Sequence, residues 1–240
     1  MTRFPILMYH NICELPSQST GLTTSYDKLE AQFQFLVSQG YTSLHFRDIQ
    51  KLKSSDQYPK KPIIITFDDV YVNQYKFAYP LLKKYNLKAC FYVPFSYVGG
   101  TDSWNNGSEP IMSVSQLKEL DPAVVELGLH SFEHRPYNSL SLELIQEDFK
   151  KCHDFISKNE LNVCNVLAYP YGNFPRKEPF KSLFFETLKN QNIAYGLRIG
   201  NRLNRLPIKN NYELNRLDIK GDDSLFKFKL KLKLGKLSLF

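Results

Sequence analysis

Ile63-Ile64-Ile65-Thr66-Phe67-Asp68-Asp69 is a run of β-branched and aromatic residues that stops in two adjacent carboxylates. Pro62 opens it. Three isoleucines and a threonine in succession read as a strand covered on both faces, as in a parallel sheet. Two carboxylates at the end of such a strand are costly unless something compensates them. A metal ion is the usual compensation, and it needs further ligands. Side chains alternate along a strand, so Asp68 and Asp69 are expected to face apart if the strand runs through them, each free to serve its own role. The chain offers more ligands at His130-Ser131-Phe132-Glu133-His134. That spacing is expected to place both imidazoles on one side of a helical turn, with Glu133 facing solvent.

Working outward, strand and helix signals alternate. Phe4 to Tyr9 reads as a first strand ending in His10. A Ser/Thr/Pro-rich loop precedes a helix over 26–38, which Thr24 or Ser25 can cap and Gly40 stops. Short elements follow at 41–44 and 46–53. Residues 70–85 read as partly helical, with a break near Pro80. Ala89-Cys90-Phe91-Tyr92-Val93 is a strong strand signal. Residues 96–110 hold the single Trp and read as a long loop, a length that often serves function. A short helix capped by Ser113 or Ser115, a strand over 124–129, a helix over 142–158 and a strand over 163–169 come next. A helix over 180–190 and strands over 193–197 and 214–219 complete the pattern. Such alternation implies parallel strands with crossover helices, in a barrel or a doubly wound sheet. His10, Asp68, Asp69, His130 and Tyr171 all fall just after strands, which favours a barrel with its chemistry on one face.

Composition sets the outer bounds. The chain of 240 residues is 42% hydrophobic and 23% charged, a balance that fits a globular protein able to build a sizeable core. Residues 1–240 read as one domain, without repeat or linker. The net charge of +7 is concentrated near the end, where five lysines and no acid lie between Lys227 and Lys236, so the excess does not indicate a nucleic-acid binder. This Lys-rich tail, about 224–240, alternates Phe or Leu with Lys over 226–234. It reads as an edge strand with a basic face or as a frayed helix, and is the one candidate for peripheral contact with an anionic membrane. Cys13, Cys90, Cys152 and Cys164 show no CxxC or zinc-ribbon spacing and read as reduced thiols. The first ten residues are too poor in apolar side chains for a signal peptide, and no run approaches the roughly 18 apolar residues of a spanning helix. A cytoplasmic location is therefore expected, with the tail as its only link to the inner membrane face.

Two histidines and one aspartate can form a facial metal site that leaves coordination positions open. A cation of the zinc type lowers the pKa of a bound water and polarises a carbonyl. A second carboxylate beside it can take that water's proton. Either motif alone is weak, since a lone histidine is commonly structural and Asp commonly caps helices. Together, Thr66-Phe67-Asp68-Asp69, His130-Ser131-Phe132-Glu133-His134 and Tyr169-Pro170-Tyr171-Gly172 resemble the first three signature motifs of the polysaccharide deacetylases, carbohydrate esterase family 4 or the NodB-homology domain. The resemblance covers about residues 4–220. It implies a distorted (β/α)7 barrel of the NodB-homology type. It also implies a metal-dependent hydrolase that removes acetyl groups from an N-acetylated glycan, using Zn2+ or, alternatively, Co2+ or Ni2+.

The resemblance further implies that Asp69, His130 and His134 bind the metal and that Asp68 is the general base. The backbone near Tyr171 would support the oxyanion, with Pro170 and Tyr171 walling the groove. Two departures stand out. The Arg that usually opens the third motif is replaced by Ala168-Tyr169, and no His follows the last strand. The sequence is similar in this respect to the circularly permuted poly-N-acetylglucosamine deacetylases, whose acid His lies on an N-terminal strand. His10, in Leu7-Met8-Tyr9-His10-Asn11-Ile12, is then the candidate acid. Arg216 is the candidate replacement for the missing Arg, with Asp218 as its partner. Trp104 is a candidate for stacking on a sugar ring, or else a loop anchor. His45 and His153 read as structural. Two rival readings remain: an amidohydrolase on a small or lipid-linked amide, and a glycan-binding barrel without activity.

Overall fold

Alternation along Pro62–Asp68 sets the architecture. Ile63, Ile65 and Phe67 point outward into one apolar layer, while Ile64 points inward into another. Thr66 and Asp68 share the inward side by the same period of two. All seven residues are buried, because helices cover one face and the other strands of a closed sheet cover the other.

The computed structural model describes residues 2–52 and 57–235. In chain order its strands are β1 (Thr2–Phe4), β2 (Ile6–Tyr9), β3 (Asn11–Cys13), β4 (Thr23–Ser25), β5 (Thr42–Ser43), β6 (Pro62–Asp68), β7 (Ala89–Val93), β8 (Val125–Leu129), β9 (Val163–Ala168), β10 (Tyr195–Ile199), β11 (Asn204–Leu206) and β12 (Leu214–Asp218). The α-helices are α1 (Tyr26–Ser38), α2 (Phe46–Lys51), α3 (Tyr79–Lys84), α4 (Val114–Glu119), α5 (Leu142–Lys158), α6 (Phe180–Asn190) and α7 (Leu225–Leu234). Seven parallel strands run β2-β12-β10-β9-β8-β7-β6, and pairing of β2 with β6 closes the ring. This is the expected (β/α)7 barrel. Its closing seam sets Ile6 against Ile64 and Tyr9 against Phe67. A closed ring leaves no barrel strand with an open edge.

The larger apolar layer lies between barrel and helices, including Phe67, Phe91, Phe33 and Phe149. The smaller fills the barrel interior, including Phe4, Ile6, Ile64, Tyr92, Val166 and Leu197, with Phe46 and Ile49 of α2 beside them. Gly128 is required there: a Cβ on it would lie 2.6 Å from the Tyr92 ring.

Several expectations need correction. The first strand is cut in two, because Pro5 has no N–H to donate; its carbonyl still accepts from Ile64 at 3.1 Å. Ser25 precedes α1 but makes no side-chain cap bond. The break near Pro80 is a π-helical turn over Gln74–Ala78 leading into α3, with Pro80 in the first turn, where its missing N–H costs nothing. Ser113, not Ser115, caps α4 and forms a capping box with Gln116. The expected short helix over 46–53 ends at Lys51, and Lys53 lies outside the described residues.

The Lys-rich tail is the helix α7, not a strand. Ser224 accepts from the Lys227 N–H at 3.2 Å, and Phe228 and Leu232, four positions apart, are buried. Phe228 meets Phe35 of α1 edge to face, centroids 6.3 Å apart. In a helix an alternating pattern scatters the lysines. Lys227 and Lys231 both pair with buried Asp223, while Lys229 lies over the Phe35 ring. The described part of the tail therefore presents no flat basic face to a membrane, and residues 236–240 lie outside the described residues. No helix among the described residues is long and apolar enough to cross a membrane.

Candidate active site

The ends of β2, β6, β8, β9 and β12 gather a cleft of about 360 Å3 lined by His10, Asp68, Asp69, His130, His134, Tyr171, Trp104 and Arg216 among others. Every residue singled out above for chemistry or substrate contact, except Pro170, lines it. Pro170 is buried in the turn that presents Tyr171.

β6 stops at Asp68 because Asp69 and Val70 adopt left-handed backbone, with φ of 77° and 48°. The expected alternation therefore does not apply. Asp69 is turned back, and both carboxylates reach His130 Nε2, at 3.8 Å from Asp68 and 3.5 Å from Asp69. Such backbone costs a non-glycine residue about 1–3 kcal/mol and persists only where the surroundings over-determine it. Here the Asp69 N–H donates to the Tyr92 carbonyl at 3.0 Å, and Gln74 donates its amide to the carbonyls of His10 and Asp68.

The His130–His134 segment is a loop, not the expected helical turn. Ser131 and His134 have φ of 64° and 55°. Buried Asp148 on α5 holds this shape. It accepts from Ser131 Oγ at 2.9 Å, from the Phe132 N–H at 2.8 Å and from the Tyr137 hydroxyl at 2.8 Å. Glu133 leans outward, 3.6 Å from Lys151 and 3.8 Å from Arg135.

Asp69, His130 and His134 fit a cation. Their ligand atoms lie within 4.8 Å of one another. His130 Nδ1 is 2.8 Å from the Ala168 carbonyl, which can only accept, so the proton is on Nδ1 and Nε2 offers a lone pair. Burial pushes His130 down to about 4, which keeps the ring neutral. Asp69 Oδ1 lies 3.2 Å from His134 Nε2 and 3.5 Å from His130 Nε2, yet makes no hydrogen bond. Atoms converging on a common point without N–H···O alignment are what a shared cation requires. Burial opposes the Asp69 charge, but the neighbouring His134 outweighs it, so the carboxyl sits below its ordinary value.

Arg216 is wholly buried on β12 and grips Asp68 with both arms, Nη1 to Oδ1 at 2.5 Å and Nη2 to Oδ2 at 2.8 Å. Asp218, its expected partner, instead lies 3.7 Å from Lys220. Burial would raise the Asp68 pKa; Arg216, then His130 and His10, overcome this and hold the carboxyl well below the usual carboxylate range. His10 Nε2 is 3.6 Å from Asp68 Oδ2, so Asp68 stands between a fixed cation and an imidazole.

Aromatic rings wall the mouth. Trp104 stacks on His134 with centroids 4.6 Å apart and is itself braced by Tyr97. Tyr171 meets His134 edge on at 4.9 Å and is 53% exposed, so its ring is open to a ligand. It stands on a tight turn in which Tyr171 and Gly172 are both left-handed, and a Cβ on Gly172 would lie 2.7 Å from the Ile199 amide nitrogen. His45 and His153 lie elsewhere: His45 Nε2 donates to the Val124 carbonyl at 3.1 Å, and His153 packs against Phe149. Sequence reasoning missed Asp148 and Gln74. Asp148 carried no signal, because it lies mid-helix, 17 positions from Ser131.

This fold and this mouth define a class. The profile of the polysaccharide deacetylase family matches residues 55–180, and the chain belongs to that family. It is 28% identical over 173 residues to the Bacillus subtilis (strain 168) protein YxkH, named for polysaccharide deacetylation; the match takes in 72% of this chain and 58% of that protein. It is 26% identical to the poly-beta-1,6-N-acetyl-D-glucosamine N-deacetylase of Staphylococcus epidermidis, across 81% of this chain and 67% of that one. Among solved structures, the Streptococcus pyogenes deacetylase PplD in complex with acetate superposes with a TM-score of 0.80 at 24% identity, covering 96% of this chain and 98% of the other. At that identity the likeness is one of fold.

Proposed function

We propose that this protein is a metal-dependent hydrolase that removes N-acetyl groups from a glycan. The observation that carries the reading is the juxtaposition, in one barrel mouth, of a cation-ready Asp69–His130–His134 cluster and the Arg216-clamped Asp68. Family membership and the N-deacetylase name of the Staphylococcus epidermidis relative support it.

Asp69, His130 and His134 would hold a divalent cation, most simply Zn2+ with Co2+ or Ni2+ as substitutes, which would polarise the acetyl carbonyl and acidify a water. Asp68, kept ionised by Arg216, takes the proton of the attacking water as general base. His10 gives a proton to the leaving nitrogen as the C–N bond breaks, so acetate and a free amine depart. The position of His10 supports that role, since it lines the mouth with its Nε2 3.6 Å from Asp68 Oδ2. The backbone amide at Tyr171 is assigned to the developing oxyanion. Exposed Tyr171 and half-buried Trp104 offer apolar surface against which a sugar ring can lie, and Pro170 fixes the turn beneath.

Acetate release from β-1,6-linked and β-1,4-linked N-acetylglucosamine oligomers, measured on zinc-reconstituted protein, tests the reading. Asp68→Asn is expected to abolish turnover while metal content is unchanged. Substantial remaining activity would refute the base assignment, and no release from any N-acetylated glycan would refute the function.

A further inference from the structure

A second cluster of metal-ligating side chains lies at the other end of the barrel. Cys90, Glu126 and Cys164 are the second residues of β7, β8 and β9 respectively, whereas Asp69, His130 and His134 lie beyond the last residues of β6 and β8. Cys90 pairs in register with Glu126 across the β7–β8 ladder. Their ligand atoms, two sulfurs and a carboxylate oxygen, lie within 4.8 Å of one another. Cys90 is fully buried and Glu126 only 4% exposed, while half-buried Cys164 leaves a way in from solvent.

Glu126 is the unexplained member. Its Oε1 accepts from the Phe46 N–H at 2.6 Å, but its Oε2 is buried with no hydrogen-bond partner. Among the described residues, the half-exposed Arg47 reaches that oxygen with its Nε only at 4.0 Å, too far for a hydrogen bond. A buried carboxylate oxygen left unpaired is expensive, and a native structure usually gives it a partner. The two thiols do not pair off as a disulfide. β7 and β9 flank β8, so their backbones stand about 9 Å apart, beyond the roughly 7 Å that a disulfide spans. Sulfurs brought together from backbones too far apart to cross-link suit a bridging ion.

We propose that Cys90, Glu126 and Cys164 form a second metal site that takes a thiophilic divalent cation of the zinc class. Two thiolates and a carboxylate are a ligand set of that preference, with a fourth position left for water on the Cys164 side. Binding displaces the two thiol protons to solvent, together with any proton on Glu126, and the cation's charge replaces them. The ion ties three neighbouring strands together at their starts.

The test is a cobalt titration of chelator-stripped protein kept reduced with a phosphine. It uses the His130→Ala/His134→Ala variant, so that the other cluster contributes nothing. The expected result is a thiolate-to-cobalt charge-transfer band in the near ultraviolet, saturating at one equivalent. Cys164→Ser and Cys90→Ser should abolish the band, Glu126→Gln should weaken binding by at least about tenfold, and Cys152→Ser should change nothing. Absence of the band in folded protein, or its survival in Cys164→Ser, overturns the proposal. Should Cys90→Ser fail to fold by circular dichroism, the half-buried Cys164→Ser decides the matter alone.

Discussion

At the scale of single residues, Arg216 and Asp68 act as one unit. Both are buried, and the guanidinium fork matches the carboxylate with two bonds. Removing one partner of a buried pair strands the other. Arg216→Ala is therefore expected to cost about 3–5 kcal/mol in urea unfolding and to abolish turnover. Arg216→Lys keeps the charge but loses the fork, and should fall between wild type and alanine in stability. Wild-type stability in the alanine variant would show that the pair contributes nothing. Glu126 makes a different prediction. Burial pushes its carboxyl up to about 7, against about 4.3 for an unfolded glutamate. Between those values the folded state holds a proton that the unfolded state has released. This group's stability contribution is therefore full below about pH 4.3 and is lost as pH rises to about 7, by up to roughly 4 kcal/mol. In metal-free protein, Glu126→Gln should flatten that part of the stability–pH curve. An unchanged slope between pH 5 and 7 would refute the burial argument.

At the scale of elements, the His130–His134 loop owes its shape to a neighbour. Three bonds to Asp148 of α5 fix two left-handed residues that isolated chain would avoid. Asp148→Ala leaves the loop's own ligands in place and removes what aims them. Metal affinity, read by competition with a fluorescent chelator, is expected to fall about 10–100-fold while far-ultraviolet dichroism stays unchanged. Affinity equal to wild type would mean the loop holds itself. The tail illustrates the same dependence. Its Phe/Leu–Lys alternation has the period of a strand, but Ser224, Asp223 and the surface of α1 reward a helix. Tertiary contacts of that kind outweigh local pattern.

At the scale of the whole molecule, the barrel brings candidate ligands from separate strands to one point. Asp69 follows β6 and both histidines follow β8, so a cation there can bind only the folded chain. Zinc at 100 times its dissociation constant should then stabilise the protein by about 2.7 kcal/mol. In a Cys164→Ser background, which isolates this site, calorimetry should show the rise in Tm with zinc and its loss in His130→Ala/His134→Ala. Equal shifts in both proteins would place the zinc elsewhere.

The amino-acid sequence by itself determined the alternation of strands and helices, the parallel barrel and the family. Those rest on short-range regularities: β-branched runs, helical periodicity over 26–38, 142–158 and 180–190, and motifs of four or five residues. It also put His10, Asp68, Asp69, His130, His134, Trp104 and Tyr171 forward as a set, since each follows or ends a strand, lies in a long loop, or belongs to a motif, and Arg216 beside them as the replacement for a missing motif Arg. Only the tertiary structure decided how they meet. Arg216 takes Asp68, 148 positions away, instead of Asp218 two positions along. Asp69 swings back through a left-handed turn, the histidine loop borrows Asp148, and Cys90, Glu126 and Cys164 converge from three strands. The physical reason is the same in each case. Which polar groups satisfy one another in a buried space depends on which are brought within a few ångströms, and closure of the barrel sets that.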